Sequence, residues 1–140
     1  MNDIGDTIIV TETPQTVYVR VTDENADICY NTVSFDAFID AVTATMPSDL
    51  EQCDSDGVVD GQTTFDLSSQ DSIIMNGQTG TVITYHTTMA DASSGDNDLP
   101  SMHMNTMNPQ PIFARIESVN GCFDTTSFEI EVTDLPTVMM

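Results

Sequence analysis

Basic residues are almost missing from this chain. The sequence has no lysine and no tryptophan, and two arginines stand against 23 acidic residues, so the formal net charge is −21. Proteins that bind nucleic acid neutralise phosphates with lysine and arginine, so this balance excludes a nucleic-acid partner. It also disfavours an anionic membrane surface. No apolar run approaches the roughly 20 residues of a membrane-spanning helix, so we expect no membrane insertion.

The first residues also lack the basic and apolar regions of a signal peptide. If the protein is exported, we expect the sequence to be an excerpt from a longer precursor. A charge this negative needs salt screening or bound divalent cations to offset its self-repulsion, which favours an extracellular, saline or calcium-containing setting. The chain has three cysteines, an odd number. At least one thiol is therefore free or bonded outside the chain.

What is present is an internal repeat. Residues 14–21 (PQTVYVRV) match residues 109–116 (PQPIFARI), 95 positions later, and residues 29–35 (CYNTVSF) match 122–128 (CFDTTSF), 93 positions later. Self-similarity of this kind is typical of tandem repeats. It predicts the C-terminal part of a preceding repeat at 1–46, a linker at 47–49, a complete repeat at 50–134 and the start of a further linker at 135–140.

Alternating apolar residues at 17–21, 112–116 and 128–132 predict half-buried antiparallel strands. Residues 7–10 and 81–86 are further strand candidates, and Asn120-Gly121 predicts a hairpin turn. Residues 68–75 and 88–92 predict short helices, the second capped by Thr87 or Thr88. The complete repeat has the size of an immunoglobulin-like domain. We therefore predict an all-β, immunoglobulin-like antiparallel β-sandwich repeat with one or two short helical turns.

Seven short motifs in the second repeat carry a family resemblance. In chain order they are CDSDG (53–57), TFDL (64–67), YH (85–86), ADA (90–92), NPQ (108–110), FAR (113–115) and GC (121–122). Together they resemble the tandem repeats of large Bacteroidetes cell-surface proteins exported by the type IX secretion system, which include gliding-motility adhesins. The resemblance implies an extracellular fibre module, with copies of itself or neighbouring repeats as partners and surface glycans as further candidates.

Carboxylates crowd the start of the complete repeat, where Asp54, Asp56 and Asp60 occupy positions 1, 3 and 7 of a glycine-turned loop. Calcium takes six to eight oxygen ligands, which such a loop can begin to supply. Asp66 and Asp91 are candidates to complete the shell. The sequence therefore predicts a calcium site here, with a solvated acidic turn as the alternative.

Cys53 and Cys122 fall in the first and last strands of the complete repeat. A disulfide between them would close a loop of about 70 residues and contribute about 4 kcal/mol in the chain-entropy model. The alternative is two buried thiols. Cys29 is equivalent to Cys122, so its natural partner would belong to the preceding repeat, and here it is free or bonded to a neighbouring molecule.

The two arginines, Arg20 and Arg115, occupy equivalent positions, and we expect both to cover a sheet face and to pair with carboxylates. A short Asp-Ser/Thr-apolar pattern similar to that of Bacteroidetes O-glycosylation recurs three times. The acceptor residues would be Thr7, Ser72 and Thr125.

No Ser-His-Asp spacing, cysteine nucleophile motif or phosphate loop is recognisable, so we expect no enzyme. The predicted function is a structural and adhesive module of an extracellular adhesin or filament, assembled head to tail by strand addition. The alternative is a carbohydrate- or surface-binding module attached to a secreted enzyme, which exposed aromatic residues on a flat face would support. A hydrolase that uses carboxylates alone is a third class.

Overall fold

The computed structural model describes residues 7–23, 25–55 and 57–136, and gives no side-chain description for residues 26–28. The chain divides into two compact units, an N-terminal unit that ends at Asp40 and a C-terminal unit that begins at Ala41. The repeat boundaries predicted from internal similarity, with a linker at 47–49, stay a prediction.

The N-terminal unit is a two-stranded antiparallel hairpin. Its strands are β1 (Gln15–Asp23) and β2 (Ala26–Ala37). The β-branched and aromatic residues of both strands favour extended backbone. Residues 7–10, predicted as a strand, lie outside any strand, and residues 7–9 line an open groove beside the start of β1. That prediction is wrong because the segment has no hydrogen-bonded neighbour strand among the described residues.

In its described residues, the C-terminal unit holds six strands in two sheets and two short α-helices. The strands are β3 (Leu50–Cys53), β4 (Thr64–Asp66), β5 (Thr81–His86), β6 (Met102–Met104), β7 (Gln110–Ser118) and β8 (Phe123–Thr133). The helices are α1 (Asp71–Met75), preceded by a 3₁₀ turn at Leu67–Gln70, and α2 (Met89–Ser94). The strand order is β3-β8-β7-β5 in the larger sheet, and β4 pairs with β6 in the smaller one.

Local signals in the sequence place the short elements correctly. Asp66 accepts a hydrogen bond from the Ser68 amide at the start of the 3₁₀ turn, and the helix that follows ends at Asn76, whose φ is 44°. Thr88 caps α2 by accepting the Asp91 amide, and Gly95 ends that helix. The two predicted helical turns and the Thr88 cap are confirmed.

The core lies between the larger sheet and the segment that carries β4, the 3₁₀ turn and α1. Fully buried side chains come from both sides of this core. The segment with β4, the 3₁₀ turn and α1 contributes Phe65, Leu67 and Ile74, and strands β7 and β8 of the larger sheet contribute Ile112, Ala114, Ile116 and Ile130. Alternation in β7 sends every second residue to this face. The predicted fold class, an all-β sandwich-like domain with short helical turns, is confirmed.

One pairing differs from the antiparallel expectation, because β3 runs parallel to β8. The Ala44 amide donates to the Asp124 carboxylate at the start of β8, and Asp49 accepts from the Glu129 amide farther along. The segment 44–53 thus follows β8 in the same direction. The chain enters this unit at the β7–β8 turn and leaves it at the opposite end of β8.

The two units contain equivalent hairpins. Arg20 pairs with Thr32 in β1–β2, and Arg115 pairs with Thr125 in β7–β8, at the same offsets of 95 and 93 positions that relate the two sequences. Pro14 and Pro109, which precede the two hairpins, both follow cis peptide bonds. The internal similarity therefore extends to strand register.

Candidate functional site

Arg115 is the centre of the contacts between the larger sheet and α2. Its Nη1 donates to the carbonyl oxygens of Ala92 and Ser93 at 3.1 and 2.8 Å. Its Nε and Nη2 reach the Glu117 carboxylate at 2.8 Å, and its guanidinium lies 3.6 Å from the centre of the Phe123 ring. These contacts give a buried cation a carboxylate, two carbonyls at a helix end and an aromatic face.

Gly95 lies beside this arginine, and its backbone conformation favours glycine. A Cβ at residue 95 would lie 3.5 Å from Arg115 Nε, and φ is +79° there, which favours glycine. In the N-terminal unit the equivalent cation, Arg20, lies 4.0 Å from the centre of the Tyr30 ring. Both arginines therefore stack on the aromatic residue at the equivalent place in the neighbouring strand.

The loop after β3 is organised by Asp54. This carboxylate is only 3% exposed, and its Oδ2 accepts the amides of Asp60 and Gly61 at 3.1 and 2.9 Å. Its second oxygen, Oδ1, is buried and has no hydrogen-bond partner among the residues that the structure describes. A buried carboxylate oxygen of this kind is a site for a water or a cation. Asp56, also predicted as a calcium ligand, lies outside the described residues.

The other three predicted calcium ligands accept hydrogen bonds from residues close in sequence. Asp60 accepts the Gln62 amide, and Asp66 caps the 3₁₀ turn. Asp91 accepts hydrogen bonds from Thr88 and Asn97, which lower the pKa of its carboxyl group. In residues 7–23, 25–55 and 57–136, acidic, histidine and cysteine side chains form no group of three or more that could hold a metal. Asp66 and Asp91 are thus not gathered with Asp54.

The two cysteines of the C-terminal unit lie at its opposite ends. Cys53 pairs with Thr133 at the end of β8, whereas Cys122 lies in the turn before β8 begins. At about 3.3 Å per residue, the length of β8 separates them by more than about 30 Å. A disulfide needs α-carbons within about 7 Å.

The predicted Cys53–Cys122 bond is therefore incompatible with this sheet, and that prediction is corrected. All three cysteines are free, and Cys29 and Cys53 are exposed. The alternative of two buried thiols is also wrong, since Cys53 is exposed and Cys122 is half-buried.

Two asparagines brace the unit, and the sequence reasoning did not assign them a role. Asn105 is buried and bridges Thr63, Gly61 and the Met107 carbonyl. Asn108 exchanges two hydrogen bonds of 2.8 Å with the backbone of Val132, as a strand residue would. The Asn-Pro-Gln motif was the available signal for Asn108.

Tyr85 joins the core to α1. Its hydroxyl donates to Asp71 Oδ1 at 2.6 Å, and its ring meets Phe128 edge-on. Burial, followed by this hydrogen bond and the negative charges of Asp71 and Asp66, raises the pKa of the phenol well above its usual value of 10.

The surface offers no stacking platform for a sugar in the C-terminal unit. Among its described residues Phe123 is the one exposed aromatic side chain, and the Arg115 guanidinium covers it. The predicted O-glycosylation residues differ in access: Thr7 and Ser72 are exposed, and Thr125 is half-buried in β8. No helix among the described residues is long and apolar enough to cross a membrane.

These features define an all-β domain whose thiols mark its two ends. Residues 49–136 match the family model of the Flavobacterium inter-domain disulphide bond domain. This match covers more than half of the 140 residues, and the chain belongs to that family. The Bacteroidetes origin expected from the motifs is thereby supported. A comparison with curated proteins found no match.

Proposed function

We propose that the chain is a structural and adhesive module of an extracellular Bacteroidetes filament or adhesin, exported by the type IX route and joined head to tail to further units. The observation that carries this proposal is the position of Cys53 and Cys122 at opposite ends of one unit. The family is named for a disulphide between domains. Such bonds persist in oxidising surroundings outside the cytosol.

The path of the chain decides which thiols meet. It enters the C-terminal unit beside Cys122 and leaves it beside Cys53. In a row of such units, Cys53 of one unit would face the residue equivalent to Cys122 in the next. Cys29, which is equivalent to Cys122, would then pair with the first cysteine of the unit before its own. The outer edges of β3 and β5 offer further contacts by strand addition.

Calcium is the second part of the proposal. The Oδ1 of buried Asp54, which has no hydrogen-bond partner among the described residues, supports a cation in the loop after β3, where Asp56 and Asp60 are the other carboxylates. A bound cation would also reduce the self-repulsion that comes with a net charge of −21.

Oxidation of the whole chain in a Cys29→Ser background tests the head-to-tail pairing. Each molecule then carries one cysteine at each end of its C-terminal unit, so disulfide-linked copies should form a ladder on a non-reducing gel. Peptide mapping should find Cys53 joined to Cys122 of another molecule. Matched variants that also lack Cys53 or Cys122 should stop at dimers.

Two results would count against the pairing: no ladder under oxidation, or equal yields of Cys53–Cys53, Cys122–Cys122 and mixed bonds. Adhesion itself is measured with beads coated with the oxidised chain, whose retention under flow on glass or glycan surfaces should exceed that of albumin-coated beads. Equal retention would contradict the adhesive part of the proposal.

A further inference from the structure

One face of the β1–β2 hairpin is apolar and, beyond the buried Val17 at its start, exposed, although the equivalent face in the C-terminal unit is core. Val21 is 64% exposed and Phe35 is 53% exposed. Their equivalents, Ile116 and Phe128, are 0% and 2% exposed. The two hairpins share their register, so the difference comes from what covers them. Contiguous exposed apolar patches of this kind mark interaction surfaces.

In the C-terminal unit, the residues that cover the apolar face of the β7–β8 hairpin come from one continuous part of the chain. Phe65, Leu67 and Ile74 are fully buried against β7 and β8, and Tyr85 meets Phe128 with ring centres 6.2 Å apart. These residues belong to β4, the 3₁₀ turn, α1 and β5, all within residues 50–104. The segment that covers the β7–β8 hairpin therefore precedes that hairpin in the sequence.

The same segment also supplies polar contacts to the opposite face and both flanking strands. Its helix α2 presents two carbonyls to Arg115, and its strands β3 and β5 pair with β8 and β7. Arg20, equivalent to Arg115, carries the one positive side-chain charge of the hairpin. A second α2-like helix would bring carbonyl oxygens to that guanidinium, so charge and apolar surface fit the same occupant.

We infer that the exposed face of β1–β2 is a docking surface for a segment with the chemistry of residues 50–104, that is, the N-terminal two-thirds of a second such unit. This inference rests on the tandem-unit part of the proposed function. A two-stranded hairpin is at best marginally stable in water, so this partner would convert β1–β2 into a stable part of a sandwich. The partner is thus a polypeptide of the same repeat type.

Hydrogen exchange on an extended protein tests this inference. A second copy of residues 47–107 is placed directly before Thr13, so that Met107 joins Thr13 as it joins Asn108 in the native sequence. Amides of β1 and β2 should exchange at least about tenfold more slowly in the extended protein than in the original chain. Slow amide exchange in strands β7 and β8 of the same molecule shows that the protein is folded.

Two substitutions of neighbouring residues provide the matched controls. Val21→Asp places a charge on the apolar face and should abolish the gained protection. Thr22 lies on the opposite face, where the equivalent residue is already Glu117, so Thr22→Asp should leave the gained protection of β1 and β2 unchanged. Unchanged exchange in β1 and β2 of the extended protein would overturn the inference.

A third result would also overturn it: protection of β1–β2 in the original chain that rises with protein concentration, since the face would then be covered by self-association of a chain whose residues 50–104 are already packed on their own hairpin. The disulfide ladder proposed above requires Cys53 and Cys122 only and does not depend on this face. Failure of one experiment is therefore distinguishable from failure of the other.

Discussion

Replacing Arg115 with lysine would test whether the guanidinium joins the larger sheet to α2. The charge is kept, but the planar fork that reaches Ala92, Ser93 and Glu117 together is lost. One ammonium group can serve one or two of these acceptors, so a carbonyl at the end of α2 would lose its partner. The stack on Phe123 would also weaken.

The contacts of the Arg115 guanidinium set the size of the effect. A hydrogen bond that involves a charged group contributes about 1.5–3 kcal/mol, and a desolvated cation–π contact about 2 kcal/mol. Glu117 is 41% exposed, so its ion pair adds little. Because lysine keeps part of each contact, we expect a loss of about 2 kcal/mol in the free energy of unfolding. For a unit of about 100 residues this lowers Tm by roughly 8–16 °C.

Thermal unfolding followed by circular dichroism measures this shift, and Arg20→Lys is the matched control. Arg20 stacks on Tyr30 in the N-terminal unit, so its replacement should leave Tm of the C-terminal unit within about 2 °C. A shift of less than about 2 °C for Arg115→Lys, or equal shifts for both variants, would refute the reasoning.

Three further predictions concern groups buried in the C-terminal unit or capping its helices. The raised pKa of Tyr85 means that its contribution to stability is fully present below pH 10 and is lost as the pH rises above 10. Above pH 10 the urea midpoint should therefore fall in the original chain and should fall less in Tyr85→Phe. Equal dependence of the urea midpoint on pH in the two proteins would contradict this. Millimolar calcium, compared with magnesium, should raise Tm, because a hundredfold excess over Kd adds about 2.7 kcal/mol to the free energy of unfolding. Asp54→Asn should abolish the rise, and no rise in the original chain would mean that the loop is a solvated turn. Thr88→Ala should cost about 1 kcal/mol by removing the α2 cap, and unchanged urea unfolding would show that the cap contributes nothing.

Much of the fold follows from local patterns in the sequence. Alternation predicted the strands around Arg20 and Arg115, Asn120-Gly121 predicted the hairpin turn, and Thr88 predicted the start of α2. These signals act over a few residues, where side-chain direction and capping preferences decide the structure.

The disulfide could not be predicted in this way, because it depends on the direction of a strand. Cys53 does belong to the first strand of the unit, as the sequence indicated, whereas Cys122 was expected in the last strand and lies in the turn just before it. Since β3 runs parallel to β8, however, its end carries Cys53 away from the turn. An antiparallel β3 would have carried Cys53 toward the β7–β8 turn, where Cys122 lies. Only long-range pairing sets this direction.

The calcium ligands show a second limit of the sequence pattern. Aspartate is a good metal ligand, but it also accepts amide hydrogen bonds at helix starts and in tight turns. Asp66 is used in that way, whereas the Asp91 carboxylate accepts hydrogen bonds from the Thr88 hydroxyl and the Asn97 side-chain amide. Spacing alone does not distinguish the two uses, whereas the partnerless oxygen of Asp54 is visible only once its burial is known.

The parallel pair β3–β8 has a consequence for a filament under tension. The segment 44–53 enters at one end of β8 and runs along it, so a pull on the two ends of the unit drags these strands past each other lengthwise. Their hydrogen bonds lie across the pulling direction and are strained together in shear, whereas unzipping would break them one at a time. A unit built this way resists stretching at the strands where the chain enters and leaves it, and its core is disturbed only after that clamp slips.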